Sequence, residues 1–124
     1  MSLPRRGEIY LVPLPLPAGA GEAAASKVRP VLILQNDRDN QNPCHPTTTV
    51  APITTHGMPG PEYDTDVMLS ASTTGLKHNS KVLLGQITTI QKSLLGQRVG
   101  RLDDETMDDV ETALLIALGM IGPA

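Results

Sequence analysis

The run Val31-Leu32-Ile33-Leu34 is unbroken apolar sequence, closed by Pro30 on one side and by Gln35-Asn36-Asp37 on the other. Four apolar residues in succession between turn-forming neighbours specify a short strand buried on both faces, so the rest of the chain must cover it on two sides. That cover has to be aliphatic. There is no Phe or Trp, and Tyr10 and Tyr63 are the only aromatic residues, so burial rests on Val, Leu, Ile and Met at roughly 25 cal/mol per Å² of apolar surface. The 124 residues fit a single domain over 1–124, since domains commonly run to roughly 100–150 residues.

Around this strand, proline and glycine cut the chain into short segments. Residues 8–12 alternate as a first strand, ended by Pro13, Pro15 and Pro17, and residues 18–27 form a loop of small residues leading to Arg29. Residues 37–46 are dense in Asn, Asp and Pro and read as one long turn. Residues 47–54 give a Thr- and Val-rich strand in which Pro52, lacking an N–H, implies an edge or a bulge. A second connection runs over 56–66, followed by a short strand at 67–69. Residues 80–91 read as one strand bent at Gly85, and Val99 marks a closing strand. Only after Asp103 does helical spacing appear, with Met107, Val110, Leu114, Ala117, Leu118 and Ile121 on one face and Asp103 as N-cap. Gly119 or Gly122 ends the helix. The fold class is mainly β, a small, mostly antiparallel barrel with a C-terminal α-helix.

Composition excludes several function classes. With only two aromatics, the stacking platforms that usually hold single-stranded nucleic acid are nearly unavailable. The net charge is −3, yet residues 102–124 carry −6 and the remainder +3, so most of the chain permits a phosphate-binding face. Cys44 stands alone, which forbids an internal disulfide and suits a reducing compartment; with no apolar run of membrane-spanning length, a cytoplasmic protein is expected. Cys44 and His45 are adjacent but lack a matching ligand pair, so no metal site is expected.

Arg29 is the leading candidate for chemistry. The following proline biases it toward extended dihedrals, holding a five-donor guanidinium where an apolar strand emerges. Thr54, at the end of the next strand beyond Pro52, is the side chain a bulge there would aim beside it. A strand-end ion pair for Arg29 and an ordinary strand position for Thr54 remain the plainer alternatives. Glu22, Ser26 and Lys27 are the reactive or charged groups of the preceding loop, where a solvated surface is the plainer reading. His56, just after Thr54, and His78 are possible proton-transfer groups. Asp64 and Asp66 have a spacing that can hold magnesium, but on an edge strand they more often serve solubility.

Five segments, RRGEIYLV, RPVLILQND, TTTVAPIT, VLLGQITTI and LGQRVGRLDDETM, together resemble the MazF/PemK-type toxins of bacterial toxin–antitoxin systems, from Arg5 to about Gly119. The resemblance implies an SH3-like barrel with a C-terminal helix, a homodimer, and a cofactor-free, metal-independent endoribonuclease acting on single-stranded RNA. It also implies a cognate acidic antitoxin as partner. Arg29 falls on the arginine of the family's RPVL motif and Thr54 on the threonine closing its AxIT motif. These two would support attack by a ribose 2'-hydroxyl on the adjacent phosphate, leaving a 2',3'-cyclic phosphate. Glu22, Lys27, His56, Gln86 and Thr88 are the substrate-binding candidates.

The chain departs from its relatives at three positions: Gly85 stands where many have an acid, Thr88 where they have an arginine, and Gln91 where they have an aspartate. These losses keep a second reading open, a catalytically weakened barrel that binds an antitoxin or another protein such as a topoisomerase. A general RNA-binding barrel is the third reading, weakened by the lack of aromatics.

Overall fold

The computed structural model describes residues 3–13 and 28–122. Among these residues are seven strands, β1 (Glu8–Pro13), β2 (Val28–Ile33), β3 (Thr47–Thr54), β4 (Asp66–Leu69), β5 (Ser80–Leu83), β6 (Thr88–Gln91) and β7 (Arg98–Arg101), with helix α1 (Asp37–Asn40) between β2 and β3, α2 (Ala71–Thr74) between β4 and β5, and α3 (Asp104–Ala117) after β7. All strand pairs are antiparallel and run in the order β4-β5-β3-β2-β1-β7, with β6 also on β3. The result is a curled half-barrel with a C-terminal helix, as expected.

The apolar run divides by alternation. Leu32 and Leu34 join Ile9, Ala51 and Ile53 beneath Met107, Val110 and Ala113 of α3, whereas Val31 and Ile33 join Tyr10, Val12, Val50 and Ile90 on the other face. The two-sided burial expected of this strand is met without any aromatic filler beyond Tyr10. Asp103 caps α3, its carboxylate accepting from the Thr106 amide at 2.8 Å, and hydrogen bonding from the Thr106 side chain first and this amide second lowers its pKa. Leu118 ends the helix and Gly119 follows with φ +72. Leu118 and Ile121, expected on the packed face, lie past the last helical turn and are exposed, while Ala113 takes a buried place.

Four expectations are corrected. Pro52 marks neither an edge strand nor a bulge against β2: β3 pairs with β2 in unbroken register on one side and with β6 and β5 on the other. Pro52 sits between the part paired with β6 (47–50) and the part paired with β5 (53–54), where a missing N–H breaks no ladder. The 80–91 stretch is therefore two strands, joined by a single 3₁₀ turn at Leu84–Gln86 that steps over this junction. Residues 37–46 are not all turn. Asn36 caps α1 by accepting from the Asp39 amide at 2.9 Å, and Lys92 Nζ donates to the carbonyls of Asp39, Asn40 and Asn42 at 2.8, 3.0 and 3.0 Å. Finally, Asp66 does not solubilise an edge: its carboxylate is buried and faces Lys81.

Candidate functional site

The β2–β3 pairing includes Val31 opposite Pro52. Arg29 lies two residues before the one and Thr54 two residues after the other, so alternation puts both on the face that carries Val31. Val12, directly opposite Arg29 in β1, belongs to the apolar cluster of that face. Arg29 is half-buried near the start of β2.

Thr54 is 9 % exposed, and its Oγ1 accepts from the backbone N–H of His56 at 2.9 Å. One lone pair is thereby engaged, which leaves the hydroxyl proton free to turn toward an incoming oxygen. Across β5, the residue directly opposite Thr54 is Lys81, 3 % exposed. Its Nζ is 3.6 Å from Asp66 Oδ2. The same carboxylate oxygen accepts the amides of Glu62 and Tyr63 at 3.0 and 3.3 Å, so the connection from Thr55 to Thr65 is tied down at both ends.

Of the remaining candidates, Thr88 is exposed on β6 opposite Val50, on the same face as Thr54 and about 13 Å along β3 from it at roughly 3.3 Å per residue. Gln86 ends the 3₁₀ turn just before it and is half-buried. The His56 side chain is exposed. Glu22 and Lys27 lie outside the described residues. Structure thus gathers Arg29, Thr54 and the His56 amide at one end of a sheet face, with Thr88 further along it.

A groove of about 560 Å³ is lined in part by Pro30 and Thr55, which alternation turns to the other face of the sheet from Arg29 and Thr54, and by Leu76, Lys77, His78, Gln97 and Arg98. Arg98 Nε also pairs with Glu8 Oε2 at 2.7 Å. Glu8 in turn accepts from the Tyr10 hydroxyl at 3.1 Å. Burial first, then the charge and hydrogen bond of Glu8, push the Tyr10 phenol up to about 12, with Arg98 opposing. Among the described residues no group of three or more His, Cys, Asp and Glu side chains is placed to hold a metal ion. Cys44 is exposed, and His45 Nδ1 lies 3.1 Å from the Thr47 carbonyl.

The sequence reading missed Lys81 and Asp66 as partners. The available signal was a lysine directly inside an apolar strand, Ser80-Lys81-Val82-Leu83, where alternation would demand a partner.

A profile of the PemK-like, MazF-like toxin of type II toxin–antitoxin systems matches residues 5–118. Endoribonuclease EndoA of Bacillus subtilis strain 168 is 38% identical over 117 residues, spanning 94% of this chain and 96% of its own length. The probable endoribonuclease MazF of Mycolicibacterium smegmatis is 36% identical over 118 residues, spanning 95% and 99%. The solved structure of an endoribonuclease in complex with its cognate antitoxin, from a mycobacterial species, superposes with a TM-score of 0.73 at 28% identity, covering 97% of this chain and 99% of that one.

Proposed function

Because the chain belongs to the PemK-like, MazF-like toxin family of type II toxin–antitoxin systems, we propose that it is a toxin that cleaves single-stranded RNA without a metal ion, using Arg29 and Thr54. The observation that carries this reading is their placement on one face of adjacent strands, with Thr54 Oγ1 already accepting from the His56 amide. Residues 1–124 act as one toxin domain.

In the reaction the ribose 2'-oxygen forms a bond to the adjacent phosphorus and the bond from phosphorus to the 5'-oxygen breaks. The 2'-hydroxyl loses its proton, the departing 5'-oxygen gains one, and the products are a 2',3'-cyclic phosphate and a free 5'-hydroxyl. Arg29 binds the non-bridging oxygens through paired N–H donors as their negative charge concentrates, and the Thr54 hydroxyl adds a donor at the same centre. A guanidinium holds its protons too firmly to carry the proton traffic. His56, exposed two residues beyond Thr54, is the nearest titratable side chain in sequence. Gln86 and Thr88 contact nucleotides flanking the cut, and Glu22 and Lys27 are the further substrate-binding residues of this reading.

The protein acts as a homodimer and is neutralised by a cognate acidic antitoxin that competes for the face bearing Arg29. No helix among the described residues is long and apolar enough to cross a membrane, and we place the toxin in the cytoplasm with its RNA substrates.

Primer extension on a long RNA incubated with purified protein in EDTA tests the reading. Discrete cuts ending in cyclic phosphate, abolished in Arg29→Ala, are expected. Every RNA intact over long incubations overturns it, and binding to an antitoxin peptide or a topoisomerase without RNA turnover selects the weakened-barrel reading that Gly85, Thr88 and Gln91 favour.

A further inference from the structure

Resting on that reading of the site, we propose that Lys81, clasped to Asp66, is its positioning residue: it fixes the segment after Thr54 so that the His56 amide orients the Thr54 hydroxyl toward the scissile phosphate.

Three observations converge on this role. First, Lys81 sits directly opposite Thr54 and therefore on the same side of the sheet, yet its ammonium is withdrawn from solvent and faces Asp66 at 3.6 Å. Second, Asp66 also receives the Glu62 and Tyr63 amides, so one carboxylate joins the Lys81 charge to the far end of the segment whose near end holds the His56 amide on Thr54. Third, the chain runs over the ammonium at Gly57. A Cβ there would come within 2.8 Å of Lys81 Nζ and 2.9 Å of Glu62 Oε1, and its φ of +80 is one that favours glycine. The backbone between His56 and Met58 is thus shaped around the lysine head group.

A buried ion pair is a poor way to stabilise a strand, because desolvation offsets most of the attraction and apolar replacements often serve as well. Its use between Thr54 and the 55–65 segment is explained by geometry. A paired ammonium has one place to be, whereas a methyl group at position 81 leaves the overlying backbone several. The net charge of the pair is zero, so it acts on the reaction through Thr54 rather than as a second cation on the phosphate.

The test compares wild type, Lys81→Met and Lys81→Met/Asp66→Asn, each with Thr54 and with Thr54→Val. The double variant removes both charges while keeping an oxygen for the Glu62 and Tyr63 amides, so a folded protein remains available if the single variant fails to fold. Single-turnover cleavage is expected to slow by about tenfold or more with KM changed less than about threefold when Thr54 is present, and by less than about threefold in Thr54→Val, the signature of two residues acting as a unit. Equal losses in both backgrounds overturn the proposal and leave Lys81 a structural residue. A second readout needs no RNA. Amide hydrogen exchange at His56 is expected to accelerate about tenfold or more relative to Leu32 in the double variant. Unchanged exchange at His56 refutes the clasp even if cleavage falls, and accelerated exchange in a protein that cuts no RNA leaves the clasp standing while the proposed activity fails.

Discussion

Replacing Gly100 by alanine places a methyl group against backbone rather than against a side chain. Its Cβ would overlap the Thr74 carbonyl oxygen outright, and would lie 2.8 Å from the Thr74 carbonyl carbon and 3.3 Å from Gly75 Cα. No rotamer change relieves such a contact, so β7 and the end of α2 must separate by about 1 Å or more to reach ordinary contact distance. A Cβ at Gly75, whose φ is +89, would likewise overlap the Val99 carbonyl oxygen, so neither strand nor turn has slack. Overpacking usually costs about 1–3 kcal/mol, and a clash of backbone with backbone belongs at the upper end, about 3 kcal/mol. Against a total stability of about 5–15 kcal/mol this is a large loss. Gly60→Ala is the control, since nothing lies within 4 Å of its Cβ, and a surface change of that kind stays within about 0.5 kcal/mol. Urea unfolding followed by far-ultraviolet circular dichroism reads the difference: with m between about 1 and 3 kcal/mol/M, the Gly100→Ala midpoint falls by about 1 M or more while m is unchanged. A midpoint equal to that of Gly60→Ala refutes the steric account.

Lys92→Met is expected to cost about 2–3 kcal/mol in the same assay, because the fully buried Asn40 carbonyl loses its donor while those of Asp39 and Asn42 can turn to water; a neutral result means those carbonyls find other partners. Tyr10 provides a pH test. Its phenol, pushed up to about 12 in the fold against about 10 in an unfolded chain, contributes stability fully present below about pH 10 and lost, by about 2–3 kcal/mol, as pH rises toward 12. Urea midpoints across that range should fall more steeply for wild type than for Tyr10→Phe, and parallel curves contradict the assignment. Thr54→Val should slow RNA cleavage about a hundredfold by removing a donor to the charged phosphorus centre, with the urea midpoint showing that the protein still folds.

The features legible in the sequence are those decided by neighbours along the chain. Val31 to Leu34 announced a strand buried twice over because its apolar run is local, and Asp103 announced a helix because the cap and the 3.6-residue spacing lie within one segment. Arg29 and Thr54 stood out by their prolines and by the order of five motifs. The rest depended on distant partners. α1 is closed by Lys92, about fifty positions later, so residues 37–40 alone look like a turn. Whether 80–91 is one strand or two follows from β3 offering different edges to its two halves. Asp66 looked like a solubilising charge because its lysine lies fifteen residues away, and only the register of β3, β4 and β5 brings the two together.

The uneven distribution of charge gives the molecule a preferred heading. α3 turns Asp104, Glu105, Asp108 and Asp109 to water, with Glu111 drawn to Arg6 at 3.1 Å, and it packs on the face of the sheet opposite the one bearing Arg29 and Thr54. A polyanion drifting in from the helix side is repelled and swings round, so more of its collisions begin at the arginine end. That bias fades as the screening length shortens toward about 8 Å at physiological ionic strength. Added salt should therefore slow capture of substrate before it slows the chemistry.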